Sequence, residues 1–211
     1  MDRRQKLTDL QVDLAAVFFA LDAAEDYLVA GGAALLASDL IDRPTEDLDL
    51  FAAIPTTSVT PAKDAFVSAL REGDCGVDVI QDGPTFCRMI VTRAGEETLV
   101  DLAIDSPPHS RPAITGLGPT LAPRELAGRK LLALFGRAEA RDFADVYLLA
   151  QHFGKEALIE QAQMLDAGFD LSLLAQMIRT IKRFDDQEIP IAANDLSIAR
   201  TFFADWAGEL S

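Results

Sequence analysis

A glycine pair followed by an acid-bearing strand constrains this chain more than any other feature. Residues Gly31 to Phe51 read GGAALLASDLIDRPTEDLDLF. The apolar run Tyr27-Leu28-Val29-Ala30 comes just before, so the backbone is free to turn tightly at Gly31-Gly32 and enter a short helix, expected over residues 33–40. The first N–H groups of a helix lack intrahelical partners, and a turn without side chains lets a phosphate approach them. In Asp47-Leu48-Asp49-Leu50-Phe51 the side chains alternate between faces. Asp47 and Asp49 therefore share one side, roughly 6–7 Å apart at Cα, while Leu48 and Leu50 point into the core.

Two carboxylates on one face repel each other unless a cation lies between them. Oxygen ligands with no sulfur or histidine nearby suit Mg²⁺ better than zinc. A third acid is available in Thr98-Leu99-Val100-Asp101-Leu102-Ala103-Ile104, an apolar strand interrupted by one aspartate that is costly to bury without a partner. Neighbouring strands lie about 4.8 Å apart, so Asp101 is within reach of completing a three-carboxylate cage with Asp47 and Asp49. Asp78 in Val77-Asp78-Val79 is the rival, on a shorter strand that reads as an exposed edge.

The chain of 211 residues is 49% apolar, enough for one compact domain or two small ones. No apolar run is long enough to cross a bilayer, and Met1-Asp2-Arg3-Arg4-Gln5-Lys6 leads toward an amphipathic helix rather than a signal peptide, which predicts a cytoplasmic protein. Cys75 and Cys87 are the only cysteines, too few for a disulfide framework or a thiolate zinc site. His109 and His152 are far apart and read as surface residues. The net charge of −15 repels polyanions at long range, so a nucleic-acid acceptor requires a local basic patch.

Leu10, Leu14, Val17, Phe18 and Leu21 recur at helical spacing and predict a first helix of about four turns. A helix follows over residues 61–70, with Pro61 in its first turn. Strands are expected over 77–81, 85–92 and 98–104, separated by Asp82-Gly83-Pro84 and Ala94-Gly95-Glu96 turns. Residues 105–123 hold five of the ten prolines and read as an extended connector. Beyond it every segment is helical in pattern: 124–136, 139–152, 155–165, 171–183 and 194–206. Phe202, Phe203 and Trp206 read as core of the last helix.

A second constellation lies in that helical half. Lys130 interrupts the apolar stripe Leu126, Ala127, Leu131, Leu134, an expensive position unless its amine reaches water or an anion such as a nucleotide phosphate. On the next helix, in Arg141-Asp142-Phe143-Ala144-Asp145-Val146-Tyr147, Asp142 and Asp145 share a face and Arg141 is placed to pair with Asp145. From Arg124 to Arg141 five positive residues face two negative ones, a net +3 that is the one evident basic stretch.

The glycine pair, the helix and the Asp-x-Asp strand together resemble the DNA polymerase β-like nucleotidyltransferase superfamily, in which Gly-Ser or Gly-Gly precedes Asp-x-Asp and a third acid follows on a later strand. Here Gly32 stands where many members carry a serine hydroxyl. The lysine followed by Arg-Asp-x-x-Asp-x-Tyr is similar to the C-terminal half of the AbiEii/AbiGii (type IV toxin) family, so the resemblance runs from Gly31 to Tyr147.

It implies an α/β nucleotidyltransferase domain with a small mixed sheet over residues 1–120, and an all-helical C-terminal domain over 121–211. It implies Mg²⁺ or Mn²⁺ on Asp47, Asp49 and Asp101, and an NTP held by Gly31, Gly32, Lys130 and Arg141. Catalytic parts fall to Asp101, Lys130, Asp142 and Asp145, with either of the last two as a possible base. The implied function is a toxin that moves a nucleoside monophosphate onto tRNA or a protein and has a cognate antitoxin. Two alternatives remain open: modification of a small molecule of the aminoglycoside kind, which an acidic surface would attract, and nucleotide or partner binding without turnover.

Overall fold

The computed structural model describes residues 7–53 and 58–210, so the charged start at residues 1–6 lies outside the described residues. By their contacts the residues fall into two compact units, Met1–Pro123 and Arg124–Ser211. The first contains α1 (Asp9–Phe19), β1 (Tyr27–Ala30), α2 (Gly31–Ala37), β2 (Asp47–Ala52), α3 (Thr60–Glu72), β3 (Gly76–Asp82), β4 (Phe86–Arg93), β5 (Glu96–Ile104), β6 (Ala113–Thr115) and β7 (Gly118–Thr120).

The strands form one mixed sheet in the order β3-β4-β5-β2-β1-β7-β6. β2 runs antiparallel to β1 and parallel to β5, and β7 joins β1 in parallel. Alternation sorts the side chains between the two faces of the sheet. Leu48, Leu50 and Ala52 of β2, Cys87, Met89 and Val91 of β4, and Val100 and Leu102 of β5 are buried, as are Leu10, Leu14 and Phe18 of α1 and Phe66 and Leu70 of α3. The Phe18 ring meets Phe66 and Tyr27 edge-on at 5.1 and 5.2 Å. On the opposite face Asp47, Asp49, Phe51, Arg88, Ile90 and Leu99 are half-buried.

Three expectations need correction. α1 has 11 residues and stops at Phe19, which leaves Leu21 outside it, so it makes three turns rather than four. α2 starts at the glycines themselves and ends at Ala37. The proline-rich connector is not merely extended: it contains the β6–β7 hairpin, which continues the sheet beyond β1. Proline density hides strands of three residues from a reading by composition.

The second unit consists of α4 (Pro123–Gly136), α5 (Ala140–Phe153), α6 (Lys155–Leu165), α7 (Leu171–Arg179) and α8 (Leu196–Glu209), with a 3-10 turn at Thr180–Arg183. Phe203 and Trp206 are fully buried, and Phe203 meets Phe143 of α5 edge-on at 5.2 Å. No helix among the described residues is long and apolar enough to cross a membrane.

Candidate active site

The acids of the first unit converge through strand register. In the parallel β2–β5 pair, Asp49 lies opposite Asp101 and Asp47 opposite Leu99. Across the antiparallel β4–β5 pair, Asp101 lies opposite Arg88 and Leu99 opposite Ile90. One row of the sheet thus reads Arg88, Asp101, Asp49, Ala30, with Gly31 next along the chain. Asp101 is buried, and it is held by two bonds: Arg88 Nε donates to its Oδ1 at 2.8 Å and Nη2 to its Oδ2 at 2.6 Å. Those bonds to Asp101 raise the Arg88 pKa above its ordinary value, and the charges of Asp47 and Asp49 add to the effect. Asp78 is exposed on β3, the outermost strand.

The glycine turn fits against these acids. Gly31 has φ of +61°, and a β-carbon there would collide with the Asp49 carboxylate. The cap position before it is Ala30, which offers no side-chain acceptor to the first N–H groups of α2. A β-carbon on Gly32 would come within 2.6 Å of Thr45 Oγ1. Thr45 is tied down from the other side, where Gln11 Nε2 donates to its carbonyl at 2.9 Å. Gln11 is itself buried and forms the capping box of α1 with Thr8. The cap of the first helix therefore fixes the loop that delivers Asp47.

Beside Asp47 is a cavity of 450 Å³ lined by Glu46, Asp47, Ile90, Glu97 and Leu99, three carboxylates around an aliphatic floor. A larger groove of 540 Å³ between α3 and β3 includes none of these acids.

In the second unit, Lys130 Nζ lies 2.8 Å from Asp145 Oδ2, the lysine side chain 12% exposed and the aspartate fully buried. Asp142, also fully buried, accepts from Arg137 Nε at 2.9 Å and Nη2 at 3.0 Å, and from the Glu139 backbone N–H at 3.1 Å. These are the bonds of a helix cap. Arg141 Nε donates to Glu139 Oε2 at 3.0 Å, and Arg129 pairs with Glu125 at 2.9 Å. The basic stretch read from residues 124–141 is thus largely neutralised by its own neighbours. Extended to residue 145, the count becomes five positive against four negative, net +1.

Nothing in the sequence alone marks Thr45, Gln11 or Arg137 as supports of these acids. Arg88 interrupts an apolar strand just as Asp101 does, and that shared signal was readable, but only the register makes them partners.

The donor set suits a hard divalent cation in a limited way. Asp47 and Asp49 offer carboxylate oxygens on one face, which matches Mg²⁺ bound by one or two carboxylates together with substrate phosphates. Among the described residues no cluster of three or more histidine, cysteine, aspartate or glutamate side chains is disposed to hold a metal ion. At the third acid, both Asp101 oxygens are engaged by Arg88.

Among solved structures, JHP933 from Helicobacter pylori matches with a TM-score of 0.58 at 20% identity, over 97% of this chain and 93% of that one. MenT4, a nucleotidyltransferase toxin from Mycobacterium tuberculosis H37Rv, matches with a TM-score of 0.50 at 15% identity, over 95% and 86%. At these identities the likeness is one of fold. A search among curated proteins returns no match. The family model described as nucleotidyl transferase AbiEii toxin, type IV TA system, matches residues 13–206. The chain accordingly belongs to the AbiEii nucleotidyltransferase toxin family of type IV toxin–antitoxin systems.

Proposed function

We propose that this enzyme, acting in the cytoplasm, transfers a nucleoside monophosphate from an NTP to an acceptor hydroxyl and depends on Mg²⁺ or Mn²⁺. The acceptor oxygen forms a bond to the α-phosphorus, the bond to the β-phosphate oxygen breaks, and pyrophosphate leaves with the electron pair. The observation that carries the reading is the packing of the Gly31 turn against Asp49, which sits in register with Asp101. A phosphate site and an acidic site are thereby joined on adjacent strands.

Asp47 and Asp49 are the residues that would hold the cation. When bound, it supplies positive charge against which triphosphate oxygens can be oriented. Gly31 and Gly32 present N–H groups to the β- and γ-phosphates, and the absence of a side chain at Gly31 keeps Asp49 beside them. Asp101 is the third acid and serves the acceptor side, helping to take the hydroxyl proton. Lys130 balances charge on the leaving pyrophosphate, and Asp145 orients its amine. Arg141 and Asp142 organise the start of α5, Asp142 through Arg137. The acceptor is tRNA or a protein, and a cognate antitoxin restrains the enzyme.

The cavity beside Asp47 favours a second reading, a cationic small molecule of the aminoglycoside kind as acceptor, since Glu46, Asp47 and Glu97 line it. Incubation with labelled NTPs and Mg²⁺ or Mn²⁺, offering total tRNA, purified proteins and an aminoglycoside panel, separates the two. Label in RNA or protein supports the first reading, and label only in the aminoglycosides supports the second. No label in any arm overturns both.

A further inference from the structure

Arg88 occupies a position that the transfer reaction does not require. It sits on β4, one strand beyond Asp101, and its guanidinium makes a two-bond fork with that carboxylate at 2.8 and 2.6 Å. The Phe86 ring, with its centroid 5.5 Å from the guanidinium carbon, backs it. The Asp101 side chain is 7% exposed and that of Arg88 39%, so the acid is enclosed while the cation faces the open side of the sheet. A fork of this kind is among the strongest side-chain pairings, and the carboxylate inside it has both oxygens committed. Asp49, the neighbour in register, belongs to the same row.

Resting on the metal reading proposed above, we infer that Arg88 is a positioning residue that withholds Asp101 from the cation, leaving in the nucleotide-free protein a single divalent site built on Asp47 and Asp49. The argument is one of competition. For Asp101 to ligate a metal its enclosed carboxylate must first leave a two-bond pair, and Arg88 then stands uncompensated beside a divalent charge. Two carboxylates already meet the protein share of a typical magnesium site, whose remaining positions go to water and phosphate. Asp101 is thereby kept oriented and outside the coordination shell, each oxygen retaining a further lone pair for the acceptor hydroxyl. A fixed positive charge in the same row also lowers the cation affinity of Asp47 and Asp49, which ties tight metal binding to the arrival of the triphosphate.

Titration of the full chain with Mn²⁺, followed by the loss of the free-ion electron paramagnetic resonance signal without nucleotide, tests this. The parent should bind one ion. Asp49→Asn should abolish binding, whereas Asp101→Asn should weaken it only by about tenfold or less, because no ligand is lost but Arg88 is left uncompensated beside the site. Arg88→Gln, which removes the competing charge and frees Asp101, should tighten Mn²⁺ binding by about tenfold or more. Asp101→Asn added to it should reverse the gain. A merely structural pair would lower the unfolding midpoint in Arg88→Gln and leave Mn²⁺ affinity where it was, which overturns the inference. So does a loss in Asp101→Asn equal to that in Asp49→Asn, and this comparison decides the matter even where Arg88→Gln fails to fold. Undiminished Mn²⁺ binding by Asp49→Asn overturns the underlying metal reading instead.

Discussion

At Gly31 there is no room for a methyl group. The residue lies in the left-handed region at +61°, and a β-carbon would overlap the Asp49 carboxylate. Gly31→Ala should cost about 1–3 kcal/mol of stability from the backbone alone. It should also lower transfer activity more than that loss explains, because Asp49 must move; urea unfolding and activity on the same sample separate the two effects. The cysteines offer a second residue-scale prediction. Burial pushes the Cys87 thiol up to about 11 from an ordinary 9.0, with the Asp82 charge adding to it. In the folded protein a thiol reagent at mild alkaline pH should modify the half-buried Cys75 and spare Cys87, both reacting after denaturation. The unfolded chain loses this proton near pH 9 and the folded chain only near 11, so stability should fall with rising pH across that window. Asp47 and Asp49 were legible in the sequence because an acid alternating with leucine signals both a strand and its outward face. Arg88, Thr45 and Gln11 were not, because their roles depend on register and on a contact 34 positions along the chain.

α4 and α5 are joined by a pair that the sequence only half disclosed. Lys130 on an apolar stripe announced a need for an anion, and within its own unit that anion is Asp145 at 2.8 Å. Removing the lysine alone leaves a fully buried carboxylate, so Lys130→Met should destabilise by about 3–5 kcal/mol. Adding Asp145→Leu should recover most of that stability, since a buried pair replaced by packed apolar groups is often neutral. Transfer activity should remain lost in the double variant if Lys130 acts on the triphosphate as proposed, and should return if the pair is only architectural. Thermal unfolding and transfer rate, measured on the three variants, give the answer. Long elements with strong periodicity, such as α3, β4 and β5, were legible to within two residues at their ends. The β6–β7 hairpin was not, since three residues carry no periodicity and its β7 strand includes Pro119.

Taken as a whole, the molecule combines a net charge of −15 with an α4–α5 segment in which Arg129, Lys130, Arg137 and Arg141 are paired with neighbouring carboxylates. A polyanionic acceptor approaches against that field, and weakly screened repulsion should make its capture improve with added salt at the low end of ionic strength. A cationic acceptor should show the opposite trend, and the dependence of KM on salt distinguishes them. Sequence composition exposes this conflict, and the ion pairs of α4 and α5 sharpen it by neutralising most of the basic stretch at residues 124–141. Expression of the parent should arrest growth, and Asp49→Asn should not, if the toxin acts through transfer. The central claim, that the Gly31 turn and the Asp49 strand form one phosphate-and-cation site, is tested most directly by labelled-NTP transfer with Mg²⁺ or Mn²⁺ for the parent and a folded Asp49→Asn variant. The account predicts at least about a hundredfold loss of transferred label in the variant. Equal labelling by the two proteins would contradict it.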